Sequence, residues 1–544
     1  MQQLAASSFS LSGARHAAHE WWSFLSAALR FCQAPFMRPA AASPSSKWGK
    51  WANWEGRLVL ALALLAGLRV LIFSLGFPFF SNVDEYRHFD VVLKYARGYW
   101  PSPGPDRYEP ETAWFVGRFG SPEYHRDPVD PLELELPLPV WRQPDAVGER
   151  RVAQMRAYLG GRHSLEADQP PVYYATAGAW LALGRSLGIE GLRLLYWVRA
   201  LGALVGFGLV FGTWWLLRDL YAESPLVRLG TPLLLACFPQ DALYYVTGDA
   251  FSPLLGGLGF LLALRLAGRP ESGAGAYLGA GLVAAAAFLC KYPSVAIAVA
   301  CAFCSAAAWR APAGERGAAR RWALFWAAFL LPALFWLLRN QLLGGDLTGT
   351  AFKVERLGWG QKSLAEYLDH PIFTPAGAAT FVTDLIPRFW RGELVWYRDE
   401  LAWPAADLVY TASTLIFLPL AALGLWRRGR PRALRVAEGA ALVAVLAGGA
   451  VLALLSLLFV FGETTSPSAA YPYFVQGRLI SGVLVPFALL YLRGLEEATS
   501  RLPAGWAARA GWGVLGALVA LALVSEAVLT GPVFLSLYNG FHLP

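Results

Sequence analysis

The chain has 544 residues, of which 56% are hydrophobic and only 15% are charged, and its formal net charge is +8. Soluble domains carry about 25% charged residues, so the composition excludes an ordinary soluble enzyme. The apolar residues gather in runs of about 20 residues, each long enough to cross a bilayer, which predicts an all-α polytopic membrane protein.

The basic residues predict how the chain is oriented in the membrane. They gather in short loops at Arg218 and Arg228, at 310–321 and at 427–435. Such loops mark the cytoplasmic side of a membrane protein. The positive charge therefore reports topology, and no interleaved stripe of aromatic and basic residues indicates binding of nucleic acid.

The first predicted span covers residues 57–80 and follows a cytoplasmic segment at 1–56. A polar stretch at 81–168 comes next, and the basic residues ahead of the span place this stretch outside the cytoplasm. It is too long to be an idle connection. It is expected to contain one or two short helices, because the residues from Asp84 to Tyr95 have helical spacing.

Residues 169–189 can form either a membrane span or a helix that lies in the outer interface. The interfacial helix is preferred, because it keeps the basic loop Arg218–Arg228 inside. Pro170 and Pro171 also suit the start of a helix. The polar stretch and this helix then belong to one first long loop at 81–195.

The remaining apolar runs bring the predicted total to about 11 spans, within a range of 10 to 13, with the C-terminus outside. These further spans lie at about 196–217, 227–244, 250–267, 274–290, 293–309, 321–340, 406–426, 436–461, 477–493 and 508–530. The chain then divides into a transmembrane module at 57–340, a second long loop at 341–405 and C-terminal transmembrane helices at 406–544.

The second long loop is predicted to carry an amphipathic helix at the membrane surface. Phe381, Leu385, Phe389 and Trp390 can share one helical face. Pro387 lies within this pattern and is expected to kink or shorten the helix, because proline lacks the backbone N–H of a helix interior.

An acidic cluster, Asp84-Glu85-x-x-His88, stands where the first span leaves the membrane. Asp84 and His88 are four residues apart, so on a helix they share a face. A carboxylate beside a membrane surface can act as a general base or can bind a divalent cation. The alternative is an ordinary helix start, with Asp84 as a favourable N-terminal residue.

Three further polar groups lie at predicted span ends. Asp241 and Asp249 flank a turn between two spans, where such residues are also commonly just solvated. Lys291 either reaches the membrane surface or binds an anion such as phosphate. Gln476-Gly477-Arg478 opens a late span, and the guanidinium fork of Arg478 suits phosphate oxygens.

Taken in order, these motifs resemble the GT-C superfamily of membrane glycosyltransferases, which includes protein O-mannosyltransferases, the aminoarabinose transferase of lipid A and uncharacterised bacterial relatives. The resemblance covers most of 57–493. It is carried by Asp84-Glu85 with His88, the Gln169-Pro170-Pro171-x-Tyr173-Tyr174 helix, Arg199, Asp249, Lys291 and Gln476-Gly477-Arg478. Family members often have His-Pro-Pro where this chain has Gln169-Pro170-Pro171, so the match there is partial.

The resemblance implies a bacterial plasma-membrane enzyme of cell-envelope assembly whose active site lies on the extracytoplasmic side. Its donor would be a sugar linked to an isoprenoid phosphate, and its acceptor a glycan, lipid or protein. Asp84 would deprotonate the acceptor for an inverting attack, and Glu85 would position the acceptor or a divalent cation. The remaining candidate residues would contact the substrates: His88, Arg199, Asp249, Lys291, Gln476 and Arg478.

Two other classes of function remain open from the sequence. A transporter or lipid flippase would place charged side chains inside its spans, and this chain has Arg69 and Glu526 there. Arg69 alone can equally be a packed or snorkelling side chain. A non-catalytic scaffold for envelope glycan assembly is the third class.

Overall fold

The computed structural model describes residues 47–81, 84–122, 137–310, 316–396, 399–427, 429–463 and 467–542. Residues 1–46, most of the predicted cytoplasmic segment, lie outside this description. The described chain is dominated by α-helices and contains only two-residue strands, which confirms the all-α class.

The helices follow one another along the whole described chain. In chain order they are α1 Lys47–Gly76, α2 Glu85–Ala96, α3 Pro110–Phe119, α4 Asp145–Leu159, α5 Pro171–Ser186, α6 Gly191–Leu217, α7 Pro225–Ala236, α8 Ser252–Gly268, α9 Ala274–Phe288, α10 Val295–Trp309, α11 Arg316–Gly344, α12 Ala351–Arg356, α13 Leu364–Leu368, α14 Pro375–Arg391, α15 Pro404–Gly424, α16 Arg432–Leu458, α17 Leu484–Thr499 and α18 Ala504–Phe534. Short 3-10 helices lie at Val140–Arg142, Asp241–Tyr244, Gly248–Ala250, Tyr292–Ser294, Pro371–Phe373, Gly477–Val483 and Gly540–His542.

Within the described ranges, nine helices are long and apolar enough to cross a membrane. They correspond to α1, α6, α8, α10, α11, α15, α16, α17 and α18. This confirms a multi-pass membrane protein.

The two other predicted spans are apolar helices of less than full length. Helix α7 has 12 residues and α9 has 15, so neither alone has the roughly 20 residues that a bilayer requires. The prediction extended the first of these to residue 244, but α7 ends at Ala236. Pro239 explains the early end, because proline disfavours a helical conformation in the residue before it.

The first long loop folds into helices α2 to α5. Helix α5 begins at Pro171, as predicted, and its 16 residues make it shorter than a typical span. It packs on α2, where an added side chain at Gly178 would place a Cβ 2.8 Å from the backbone nitrogen of Ala96. The rings of Trp180 and Trp197 stack 4.2 Å apart and hold α5 against α6. Each indole N–H also donates to the other residue's carbonyl oxygen.

The second long loop contains the predicted amphipathic helix as α14. Its buried residues include Phe381, Leu385, Phe389 and Trp390, but the helix runs through Pro387 to its end rather than stopping there. Two short antiparallel pairs of strands flank α14. Strand β1 (Gly360–Gln361) pairs with β4 (Phe459–Val460), which fixes the loop to the end of α16, and β2 (Val395–Trp396) pairs with β3 (Asp399–Glu400).

Arg69 and Glu526, the two span charges singled out in the sequence, form an ion pair with each other. Nε of Arg69 in α1 donates to Oε2 of Glu526 in α18 at 2.9 Å. The hydroxyl of Tyr244 also donates to Glu526, and Arg69 donates to the carbonyl oxygens of Ala236 and Phe238. This network joins the first and last spans to the turn that follows α7.

We expect Arg69→Met to destabilise the protein by about 3–5 kcal/mol, because it leaves the buried carboxylate of Glu526 without its partner. The double variant Arg69→Met/Glu526→Leu removes both charges, so it should recover most of that loss. Unfolding in detergent, followed by circular dichroism, measures both changes. A double variant that is no more stable than the single one would contradict this account.

Candidate active site

Asp84 directly precedes the first turn of α2 with a strained backbone. Its φ is 69°, and Phe80 is the other non-glycine residue with positive φ among those described. The side chain makes no capping hydrogen bond to the helix. Its Oδ1 lies 2.7 Å from Nη1 of Arg87, and the side chain is 25% exposed. Asp84 therefore stands at the N-cap position of α2 without a side-chain capping bond, and backbone strain of this kind concentrates at functional sites.

Glu85, the next residue, is buried in an ion pair with Arg199 of α6. Nε and Nη2 of Arg199 donate to its two carboxylate oxygens at 2.8 and 2.6 Å. The backbone N–H groups of Phe80 and Val246 donate to the same carboxylate at 2.9 and 3.0 Å. Glu85 thus joins the end of α1, the start of α2, α6 and the turn that precedes α8.

Arg199 has no N–H left for a ligand. Besides its two bonds to Glu85, it donates to three carbonyl oxygens where α1 ends, those of Ser74, Phe77 and Pro78. A guanidinium has five N–H donors, and all five are now used. The phosphate contact expected for Arg199 is therefore not available in this arrangement.

His88 lies on the buried side of α2. Its Nδ1 is 2.6 Å from the hydroxyl of Tyr174, which belongs to the Gln-Pro-Pro-x-Tyr-Tyr helix α5. Burial first, and then the charge of Lys291, lower the pKa of His88 to about 3. The charges of Asp84 and Asp249 also act on His88. His88 is therefore neutral near pH 7 and serves as a hydrogen-bonding group.

Asp249, Lys291 and Arg478 meet in one buried cluster. Nζ of Lys291 lies 3.2 Å from Oδ1 of Asp249, and Nε of Arg478 lies 3.6 Å from Oδ2. The three residues sit in the 3-10 turns ahead of α8, α10 and α17, or next to them, and these turns pack on one another. The N-terminal ends of three helices therefore converge with two basic side chains, an arrangement that favours an anion.

Gln476 and Gly477 place the cluster of Asp249, Lys291 and Arg478 against α14. Gln476 is buried directly before the turn that carries Arg478. A side chain at Gly477 would place a Cβ 2.2 Å from the backbone nitrogen of Phe389. Glycine is needed here because α14 approaches the turn so closely.

Asp84 does not contact this cluster directly, but the charges interact. Asp84 is among the charges that act on Arg478, on His88 and on Lys353. The expected base and the expected phosphate contacts therefore share one electrostatic environment.

Sequence reasoning missed a second group of charges beside His88. Nζ of Lys353 in α12 lies 2.5 Å from Oε1 of Glu166, and both oxygens of Asp168 are buried without a hydrogen-bond partner in the described part of the chain. Burial raises the pKa of Asp168 to about 7, although Lys353 opposes this shift. The available signal was two carboxylates two residues apart, Glu166 and Asp168, immediately before the Gln169-Pro170 pair.

The carboxylates do not form a preorganised cation site. Among the described residues, no group of three or more His, Cys, Asp or Glu side chains is placed to hold a metal ion. Asp84, Glu85 and Asp249 each pair with a base instead.

No protein-family model matches the chain, and no curated protein matches it in sequence. Among solved structures it is similar to the archaeal oligosaccharyltransferase AglB from Archaeoglobus fulgidus in complex with an inhibitory peptide and a dolichol-phosphate. The identity is 12% and the TM-score 0.49, over 88% of this chain and 56% of that one. An oligosaccharyltransferase from the same organism with Zn and sulfate gives 13% and 0.47, over 87% and 53%. The chain thus spans about half the length of these proteins, and its function must be argued from the site.

We expect Asp168→Asn to stabilise the protein most at pH 8. The pKa of Asp168 is raised from its ordinary value of 3.8 to about 7 in the folded state. The wild type therefore loses stability as pH rises between these two values, while the neutral amide does not. The gain in melting temperature should shrink as pH falls towards 5. A gain that is equal at both pH values would contradict the shift.

Proposed function

We propose that this chain is a GT-C membrane glycosyltransferase that transfers a sugar from an isoprenoid-phosphate donor to an acceptor on the extracytoplasmic face. The observation that supports this most is the cluster of Lys291 and Arg478 at three converging helix N-termini. It offers positive charge at the ends of apolar spans, where the phosphate of a membrane lipid can reach it. The carboxylate of Asp84 interacts electrostatically with the same cluster.

Lys291 and Arg478 would bind the lipid phosphate, with Gln476 beside them. As the bond to the sugar breaks, negative charge develops on that phosphate, and fixed positive groups lower the barrier by stabilising it. Asp249 lies between the two bases and would hold them in position.

Asp84 would be the general base. Its side chain is partly exposed and does not cap α2, so it is able to meet an acceptor. It would take the proton of the acceptor while that group attacks the anomeric carbon, and the lipid phosphate would leave from the opposite face. Asp168 is a second candidate for proton transfer, because a carboxyl group with a pKa near 7 suits general acid–base chemistry.

Glu85 and Arg199 would act as positioning residues. Their ion pair is fully buried and every N–H of Arg199 is used. We therefore assign them to holding Asp84 and the Asp249 turn in place, instead of to contacts with acceptor or phosphate. His88 would orient α2 against α5 through Tyr174.

A transporter or flippase receives less support from the spans. Arg69 and Glu526, the charges that could have lined a polar path, are paired with each other and with Tyr244. The acceptor remains a glycan, lipid or protein, and we place the enzyme in the bacterial plasma membrane.

Asp84→Asn is expected to reduce sugar transfer by about 100-fold or more, which is the usual contribution of a general base. The change is nearly isosteric, so the melting temperature should stay the same. Transfer from polyprenyl-phosphate-linked sugars, measured in reconstituted membranes, provides the test. Asp145→Asn is the matched control, since that carboxylate belongs to the same loop and is 96% exposed.

A fully active Asp84→Asn variant would contradict the assignment of the base. Wild-type protein that is required for glycan assembly but transfers no sugar from these donors would favour the scaffold.

Lys291→Met and Arg478→Gln should each lower kcat/KM for the donor by roughly tenfold to a hundredfold, the loss expected for one charge-assisted hydrogen bond. Lys362→Met in the second long loop is the control. The kinetics should be followed with the donor concentration varied. Unchanged kcat/KM in both variants would remove the phosphate-binding role.

A further inference from the structure

Arg478 has a second carboxylate partner that comes from the second long loop. Nη1 of Arg478 forms an ion pair with Oε2 of Glu393, while its Nε faces Asp249. The side chains of Arg478 and Glu393 are each 14% exposed. Glu393 therefore occupies Nη1 of Arg478, a donor that an anionic ligand would use.

The backbone around Glu393 holds its carboxylate beside Arg478. Gly392 has a φ of 76°, and a Cβ there would lie 1.8 Å from Oδ1 of Asp241, so only glycine fits. Arg391 donates to the carbonyl oxygens of Gly392 and Leu401 and pairs with Asp407. The hairpin of β2 and β3 follows directly. Glu393 is thus held at Arg478 by a fixed turn.

A second buried acid lies beside this ion pair. Asp241 is fully buried beside the turn, and burial raises its pKa to about 7, with a further contribution from Glu393. Burial also raises the pKa of Glu393, although Arg478 opposes this shift. Glu393, Asp249 and Asp241 therefore all act on Arg478, and the pairing of Glu393 with Arg478 is easier to displace than an ion pair without competing acids.

We propose that Glu393 is an internal competitor that occupies Arg478 until the lipid phosphate displaces it, and that it promotes release of the phosphate product. This rests on the proposed function. Carboxylate and phosphate use the same guanidinium fork, so they exclude each other at Arg478.

The charges of the donor and the product determine which of the two the competition affects more. A sugar linked through an isoprenoid phosphate is a phosphodiester with one negative charge. Its transfer leaves a phosphate monoester with a charge of about −1.5 to −2 at pH 7. The product therefore binds the basic cluster more tightly than the donor does, and an internal carboxylate weakens the binding of both. The larger effect falls on the more highly charged product, whose release would otherwise limit turnover.

The test is the affinity of the full chain in nanodiscs for undecaprenyl phosphate, with undecaprenol as the uncharged reference. Glu393→Gln is expected to bind undecaprenyl phosphate about tenfold more tightly, which corresponds to about 1.4 kcal/mol. Glu393→Ala should change affinity in the same direction, so the result does not depend on one variant. In an Arg478→Gln background, Glu393→Gln should bring no further gain, because the competition acts through that arginine.

Glu400→Gln is the matched control. Glu400 lies in the same loop and also pairs with arginines, but these are Arg388 and Arg391. Its substitution should leave the affinity unchanged.

The outcomes separate the two proposals. Wild type that prefers undecaprenyl phosphate over undecaprenol, together with Glu393 variants that bind equally or more weakly, would overturn the competitor role and leave the proposed function standing. Wild type that binds both lipids equally, with no effect of Arg478→Gln, would overturn the proposed function and the competitor role together.

Discussion

Arg199 donates all of its N–H groups to protein acceptors, two to Glu85 and three to carbonyl oxygens where α1 ends. Burying these two charges costs roughly several kcal/mol per ion unless every donor and acceptor is satisfied. The end of α1, the start of α2 and α6 therefore have one favourable arrangement. Glu85 also accepts the N–H of Val246, three residues before Asp249, and it directly follows Asp84. The ion pair thus sets where the carboxylate of Asp84 stands relative to the basic cluster, and a shift of one segment would break several hydrogen bonds together.

Much of the fold could be predicted because it depends on the length and period of apolar runs. The spans, the helix that begins at Pro171 and the buried face of α14 follow from such patterns. Three residues of the site, Asp249, Lys291 and Arg478, could also be found, because each stands where an apolar run begins. The resemblance assigned different roles to Asp84 and Glu85, but the sequence could not show that one is partly exposed and the other buried in an ion pair. Only burial distinguishes them, and burial depends on Arg199, which is 114 residues away from Glu85. Asp168, Lys353 and Glu393 belong to the two long loops, and the path of these loops cannot be predicted from a periodic pattern.

The pairing of Arg69 with Glu526, inside the membrane spans, could not be predicted from the sequence either. Each residue alone is an expensive charge in an apolar span, and such charges often mark a transport path. The sequence places them in the first and last spans, 457 residues apart, so nothing local indicates that they meet. In the structure each satisfies the other, and Tyr244 joins them. Tyr244 belongs to the turn that begins with Asp241. The intramembrane pair therefore also stabilises this turn, which lies beside Arg478 and Glu393.

The charged side chains of the candidate site come close to electrical balance. Each base has a carboxylate partner: Arg87 with Asp84, Lys291 with Asp249, Lys353 with Glu166, and Arg478 with Glu393. Burial also raises the pKa values of two further carboxyl groups, those of Asp168 and Asp241, to about 7. Ionising these two groups is costly because burial disfavours the charged form of a carboxyl group. In the proposed reaction the lipid phosphate would bring further negative charge, so it would have to displace a carboxylate from its base or arrive with a proton. Asp168 and Asp241 could hold such a proton near neutral pH, which would couple binding of the proposed phosphate to their protonation.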